Sequence, residues 1–283
     1  MLLSRPIICF GEILWDMAAA GRRPAGTPLL LALQLQPLHP AVQLISRVGD
    51  DELGHALLAF STRQGLDTQW VQRSETHVTG VLKTALQPGG EVSCKVVGPA
   101  AWDYIEYAPA LRTAVEQAGM LIYDSLAARS FASRETLYRL LLHAPCKVFI
   151  VGLCAPHYSR EVVKYLLQQA DIVVLTQVEL EEIMGWLGRS SQVATALPWL
   201  AGHFDLQAIC VTHGAQGPAL WAHHTLVTGI EHALAGPPGS GEAAFVAALL
   251  SSWLQAATPL ECLRQACQAA AALAPDPAVY ALR

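Results

Sequence analysis

The feature that most restricts the fold is a repeated switch between short, almost purely aliphatic runs and longer amphipathic ones. "AGMLIYDSL" (118–126), "KVFIVGL" (147–153), "DIVVLT" (171–176) and "LQAICVTHG" (206–214) alternate with segments of helical spacing such as "SRETLYRLLLHA" (133–144), "SREVVKYLLQQA" (159–170) and "VELEEIMGWLG" (178–188). A strand with no polar face needs cover on both sides, and helices that alternate with such strands provide it. The pattern predicts an α/β domain built on a doubly wound, mostly parallel sheet. "PIICFGEILWDM" (6–17) reads as the first strand. Ser133 and Ser159 each precede Arg-Glu at the head of an amphipathic run, which predicts two helix N-caps. One stretch breaks the rule: "THVTGVLKTALQPGGEVSCKVVGPAAWD" (76–103) alternates around "QPGGE" and predicts an antiparallel hairpin, a lid or an edge extension.

Composition narrows the function classes. The chain has 283 residues, of which 53% are apolar and 14% charged, so disorder is excluded and one large domain over 1–283 is expected. Its net charge is -5, and its longest Lys/Arg run is the pair Arg22-Arg23, which removes nucleic acid as a partner. No apolar run reaches the length of a membrane span. Seven scattered cysteines never fall as CxxC, so neither a disulfide framework nor a zinc site is indicated. A reducing, cytoplasmic location without a leader is expected. The histidines, including His157, His223-His224 and His232, lack metal-ligand spacing.

The stretch with most chemical content is "GPPGSGEAAFVAALL" (236–250). A glycine turn before a helix aims unpaired backbone N–H groups and the positive end of the helix dipole at an anion. Gly239, Ser240 and Gly241 have the composition of such a cradle. A plain turn into a buried helix fits the same residues.

Position along the chain adds to this. "GEILWDM" (11–17), "LISRVGDDELGHALL" (44–58), "PAAWDYI" (99–105), "APHYSREVVKYLLQQADIVVL" (155–175), "VTHGAQGPAL" (211–220) and "GSGEAAFVAALL" (239–250) follow one another as in a known family. The chain resembles the PfkB (ribokinase-like) carbohydrate kinases, particularly their fructokinase-like members. That resemblance implies a ribokinase-like fold with a small antiparallel β lid from roughly 14–33 and 76–103. It also implies ATP and Mg2+ as cofactors, a sugar or sugar-like substrate, and a homodimer paired through the lid.

Site residues follow from the same resemblance. Glu242 falls where the family carries its catalytic Asp, although a second register puts Ala243 there. Gly239, Ser240 and Gly241 correspond to the anion hole. Asp16 and Gly26 correspond to sugar-binding positions, and His213, Gly214 and Gly217 to the nucleotide side. Glu179, in "TQVE" (176–179), corresponds to the acid that reaches magnesium through water. Plainer readings make Glu242 an exposed first-turn acid favourable to the helix dipole, and Glu179 one of three acids on a solvated helix face. Asp16 would then be a strand-end residue capping a local turn.

Several family positions have lost their polar groups. Leu30 stands where an Asn would touch the sugar, and "IVGLC" (150–154) replaces a D-x-N-x-R segment. Two functions remain open. One is an active ATP-dependent sugar kinase with Glu242 as a relocated base. The other is a pseudokinase that keeps the fold and uses its cleft or hairpin for a ligand or a protein partner. The joint loss of base, sugar Asn and clamp residues favours the second, because each such loss costs about 10²–10⁴ in rate.

Overall fold

The computed structural model describes residues 5–18, 21–86, 92–212, 217–228 and 240–272. The chain runs β1 (Ile7–Phe10), β2 (Leu14–Ala18), β3 (Gly21–Ala25), α1 (Thr27–Leu35), β4 (Val42–Gly49), α2 (Glu52–Arg63), β5 (Val71–Ser74), β6 (Gly80–Leu86) and β7 (Val92–Val96). It continues as α3 (Pro109–Gln117), β8 (Met120–Asp124), α4 (Phe131–Leu141), β9 (Lys147–Ile150), α5 (Arg160–Gln169), β10 (Ile172–Leu175), α6 (Gln177–Trp186), α7 (Val193–Phe204) and β11 (Ala208–Val211). The last elements are β12 (Ala219–Ala222), β13 (Thr225–Val227), α8 (Ser240–Leu254) and α9 (Pro259–Ala272).

Nine strands form one sheet in the order β13-β12-β11-β10-β9-β8-β1-β4-β5. Its centre is parallel, with Ile7 level with Val42 on one side and Met120 on the other, and β12 alone runs against the rest, antiparallel to both β11 and β13. The aliphatic runs are strands buried on both faces, as their lack of a polar side requires. One face carries Ile8, Phe10, Leu137, Leu166, Ile183 and Leu200; the other carries Ile7, Cys9, Leu29, Leu57, Phe245 and Cys262. The successor of β1 turns to one side of it and β8 lies on the other. The strand order therefore reverses there, and in such sheets the crevice beyond the strand C-termini is where ligands bind.

A second sheet has the order β3-β2-β6-β7. The hairpin of β6 and β7 is antiparallel as expected, while β2 and β6 pair in parallel. The "QPGGE" turn lies outside the described residues. The run 6–17 is two strands in two sheets, parted at Gly11. Gly11 has φ +140°, and a Cβ there would stand 2.8 Å from Ala127 Cβ, so both backbone freedom and space demand glycine.

Ser159 caps α5, its hydroxyl accepting from Val162 N at 3.3 Å. Ser133 does not cap α4. That helix begins three residues earlier, after Ser130, and Ser133 is buried in its first turn, donating to the Trp102 carbonyl at 2.6 Å and accepting from Ile105 N at 2.8 Å. No helix among the described residues is long and apolar enough to cross a membrane.

Candidate functional site

Residues that directly follow parallel strands meet at the crevice: Glu12 after β1, Ser125 after β8, Gly152 after β9, Thr176 after β10 and Thr212 after β11. A cavity of about 130 Å³ lies there, lined by Thr27, Leu30 and Leu31 of α1, Ile150 and Gly152, Val174, Leu175, Thr176 and Glu179, and Glu242, Ala243 and Val246 of α8. Its wall is mainly aliphatic, with two carboxylates.

Glu242 is in this cavity and not on a solvated surface, which corrects the plainer reading. Its Oε1 accepts from the Thr212 hydroxyl at 3.1 Å. Burial pushes its carboxyl above the ordinary range; the charge of Glu179 adds to that, and the Thr212 hydroxyl partly offsets both. Of the anion-hole residues, Ser240 and Gly241 form the buried first turn of α8. Gly239, His213 and Gly214 lie outside the described residues, and Gly217 has φ +83° at their edge.

Glu179 is likewise not on a solvated face. Its Oε1 accepts from Leu153 N and its Oε2 from Thr176 N, both at 2.8 Å. Glu179 N in turn donates to the Thr176 hydroxyl at 3.3 Å, completing a capping box at the head of α6. The carboxylate thus ties the 150–154 loop to α6. Both oxygens of Glu179 already accept a backbone N–H group, and no cluster of three or more His, Cys, Asp or Glu among the described residues could hold a metal directly, so the part left for Glu179 toward magnesium is the one through water.

Asp16 is buried in β2, where it accepts twice from Arg23 across the strand pair, at 2.7 and 2.8 Å. Asp16 is thus clamped by a cation of the lid itself. Gly26 has φ +107°, and a Cβ there would stand 2.4 Å from the Glu12 carbonyl oxygen. Gly26 is therefore required by the backbone of the β1–β2 corner.

Three features escaped sequence reasoning. Thr212, at the end of a strand, orients Glu242. Asp103 and Arg129 form a bidentate ion pair at 2.7 Å beneath the lid, with the guanidinium 4.0 Å over the Trp102 ring. Glu12 and Asp124 form a buried carboxyl pair: Glu12 Oε1 accepts from Thr27 N at 3.0 Å and Asp124 Oδ1 from Ala127 N at 2.8 Å. Glu12 Oε2 is buried and accepts no N–H among the described residues, and the adjoining Asp124 carboxylate favours the protonated form of Glu12. Burial and the neighbouring charge hold Glu12 well above the ordinary carboxyl range. The only sequence signal was two acids at the ends of apolar strands.

Residues 7–280 match the family described as pfkB family carbohydrate kinase. This chain belongs to the PfkB family. Among curated PfkB-related proteins, a 5-dehydro-2-deoxygluconokinase from Lacticaseibacillus casei is 25% identical over 219 residues. The match spans 74% of this chain but 66%, just under two thirds, of that relative. Fructokinase from Vibrio cholerae O395, solved with fructose, ADP and calcium, shares the fold at TM-score 0.80 and 19% identity, covering 97% of this chain and 94% of its own. Fructokinase from Xylella fastidiosa with bound ATP does so at TM-score 0.76 and 20% identity, covering 98% and 87%. A sugar kinase from Pyrococcus horikoshii aligns at TM-score 0.77 and 21% identity, covering 93% and 91%.

Proposed function

We propose that this PfkB-family protein is a sugar-kinase homologue with impaired phosphoryl transfer, acting as a pseudokinase that binds a small ligand or a protein partner. One observation carries the reading: the cavity at Glu242 measures about 130 Å³ and is walled by Leu30 and Ile150. Small-molecule sites run to roughly 300–1,000 Å³ and hold their ligands with several placed polar groups. A sugar hydroxyl facing Leu30 would lack a partner, at about 1–3 kcal/mol when buried. ATP is the nucleotide this reading assigns to the crevice, since relatives of this fold are solved with it. A homodimer through the lid and a cytoplasmic setting complete the proposal.

A second reading has one specific observation in its favour. Glu242 keeps a carboxylate in the cavity with its proton affinity raised by burial, which moves a general base toward the working pH. In that case the chain is an active carbohydrate kinase. Calorimetric titration with Mg-ATP, fructose and 5-dehydro-2-deoxygluconate, followed by an ADP-release assay on wild type and Glu242→Gln, separates the two. The pseudokinase reading expects no sugar-dependent ADP release from either protein. Turnover that Glu242→Gln removes would sink it and establish the second.

A further inference from the structure

A cavity lined by cations lies elsewhere. It measures about 670 Å³ and lies between the end of β7 and the heads of α4 and α5, where Lys95, Arg129, Arg134 and His157 contribute to its wall with Ser130 and Ser159. It shares no residue with the Glu242 cavity. Between the two runs the contact in which the Ser125 hydroxyl donates to the Gly152 carbonyl at 2.7 Å.

Three independent features give this cavity its sign. First, three cations face one acid, Asp103, and Asp103 is already consumed by Arg129. In a chain of net charge -5 with only 18 Lys and Arg, that local excess is not a background property. Second, α4 and α5 both begin at this wall, with Ser130 and Ser159 as their N-caps, so two sets of first-turn N–H groups and two positive dipole ends converge. The Ser130 hydroxyl makes no capping bond and is left for another acceptor. Third, the Arg129 side chain is 9% exposed, and its Nη1 is buried with no acceptor among the described residues. Nε and Nη2 are satisfied by Asp103, so one donor of a buried cation is unmatched. The guanidinium is thus fixed at the cavity wall by Asp103 and the Trp102 ring, with its positive charge held in place.

We infer that this cavity binds a small oxyanion, a phosphate or carboxylate group, between Arg129, Arg134, Lys95 and the first turns of α4 and α5. Arginine forks and helix N-termini are the protein groups best matched to such oxygens. Two sources supply that chemistry: a phosphate, free or on a sugar, and the carboxylate of a sugar acid. The inference does not depend on whether the Glu242 cavity supports phosphoryl transfer.

The test uses the full-length protein and four probes in separate calorimetric titrations: inorganic phosphate, fructose 6-phosphate, gluconate and neutral fructose. Saturable binding of at least one anionic probe is expected, with none or far less for fructose. Phosphate and fructose 6-phosphate together assign a phosphate site, and gluconate alone assigns a carboxylate site. Lys95→Glu and Arg134→Gln, tested singly so that each folded protein gives a reading, are expected to weaken that binding about tenfold or more with unchanged melting temperature in the absence of probe. Arg129 is left intact because its loss would strand Asp103. Absence of saturable binding by all three anions at millimolar concentrations overturns the inference. So does binding that neither substitution weakens. The readout is affinity alone, so ADP release in the kinase assay neither supports nor damages it.

Discussion

Substituting Glu12 by Gln should make the fold more stable, by a margin that grows with pH. In the native protein Glu12 Oε1 accepts from Thr27 N, Glu12 and Asp124 are both buried, and burial beside the Asp124 carboxylate favours a proton held between the two. Glutamine reproduces both contacts, its amide oxygen accepting and its amide nitrogen donating. The folded pair retains a proton that the unfolded chain sheds near the ordinary glutamate value of about 4.3. Because the folded value is raised, the associated stability is fully present below the unfolded pKa and is lost as pH climbs toward the folded one. One proton of difference sets the slope at about 1.4 kcal/mol per pH unit inside that window. Glutamine cannot ionise and removes this slope. Glu12→Ala, by contrast, leaves the Thr27 amide and an Asp124 oxygen unpaired, at about 1–3 kcal/mol each. Urea unfolding followed by tryptophan fluorescence, from about pH 5 to about pH 8, reads both effects, since Trp15 and Trp102 are fully buried reporters. Parallel stability curves for wild type and Glu12→Gln, or a glutamine variant as damaged as the alanine one, would refute the shared proton.

Two further outcomes are expected. Asp103→Ala leaves the Arg129 guanidinium buried without its bidentate partner and should cost about 3–5 kcal/mol, measured by the same unfolding assay. Gly26→Ala forces a Cβ to within 2.4 Å of the Glu12 carbonyl at a positive φ and should cost more than about 1 kcal/mol. A melting temperature equal to wild type would show that the β1–β2 corner relaxes freely.

The fold was legible because the signal that specifies it is local and repeated. Aliphatic runs such as "DIVVLT" are too apolar for any setting but a covered strand, and "SREVVKYLLQQA" carries its own cap at Ser159. Ser133 shows where local reading stops. It has the same Ser-Arg-Glu context, yet its hydroxyl is taken by Trp102 and Ile105, about 30 residues earlier in the chain, and the helix starts upstream. Glu179 was readable in part, since Thr176-x-x-Glu179 is a capping-box pattern in the sequence itself. What no local pattern shows is its second bond, to Leu153. The Glu12–Asp124 and Asp103–Arg129 pairs were invisible for the same reason. Each joins segments distant in sequence, and a lone acid after an apolar run gives no hint of its partner.

The setting of Glu242 has a mechanical consequence. From Ser240 to Ser252 every residue of α8 except Glu242 is buried, and the helix is wedged against α1 and α9. It is an anvil: moving it would uncover the side chains it packs against α1 and α9. Any molecule that uses this carboxylate has to come to it, because the helix that bears it is packed on both sides.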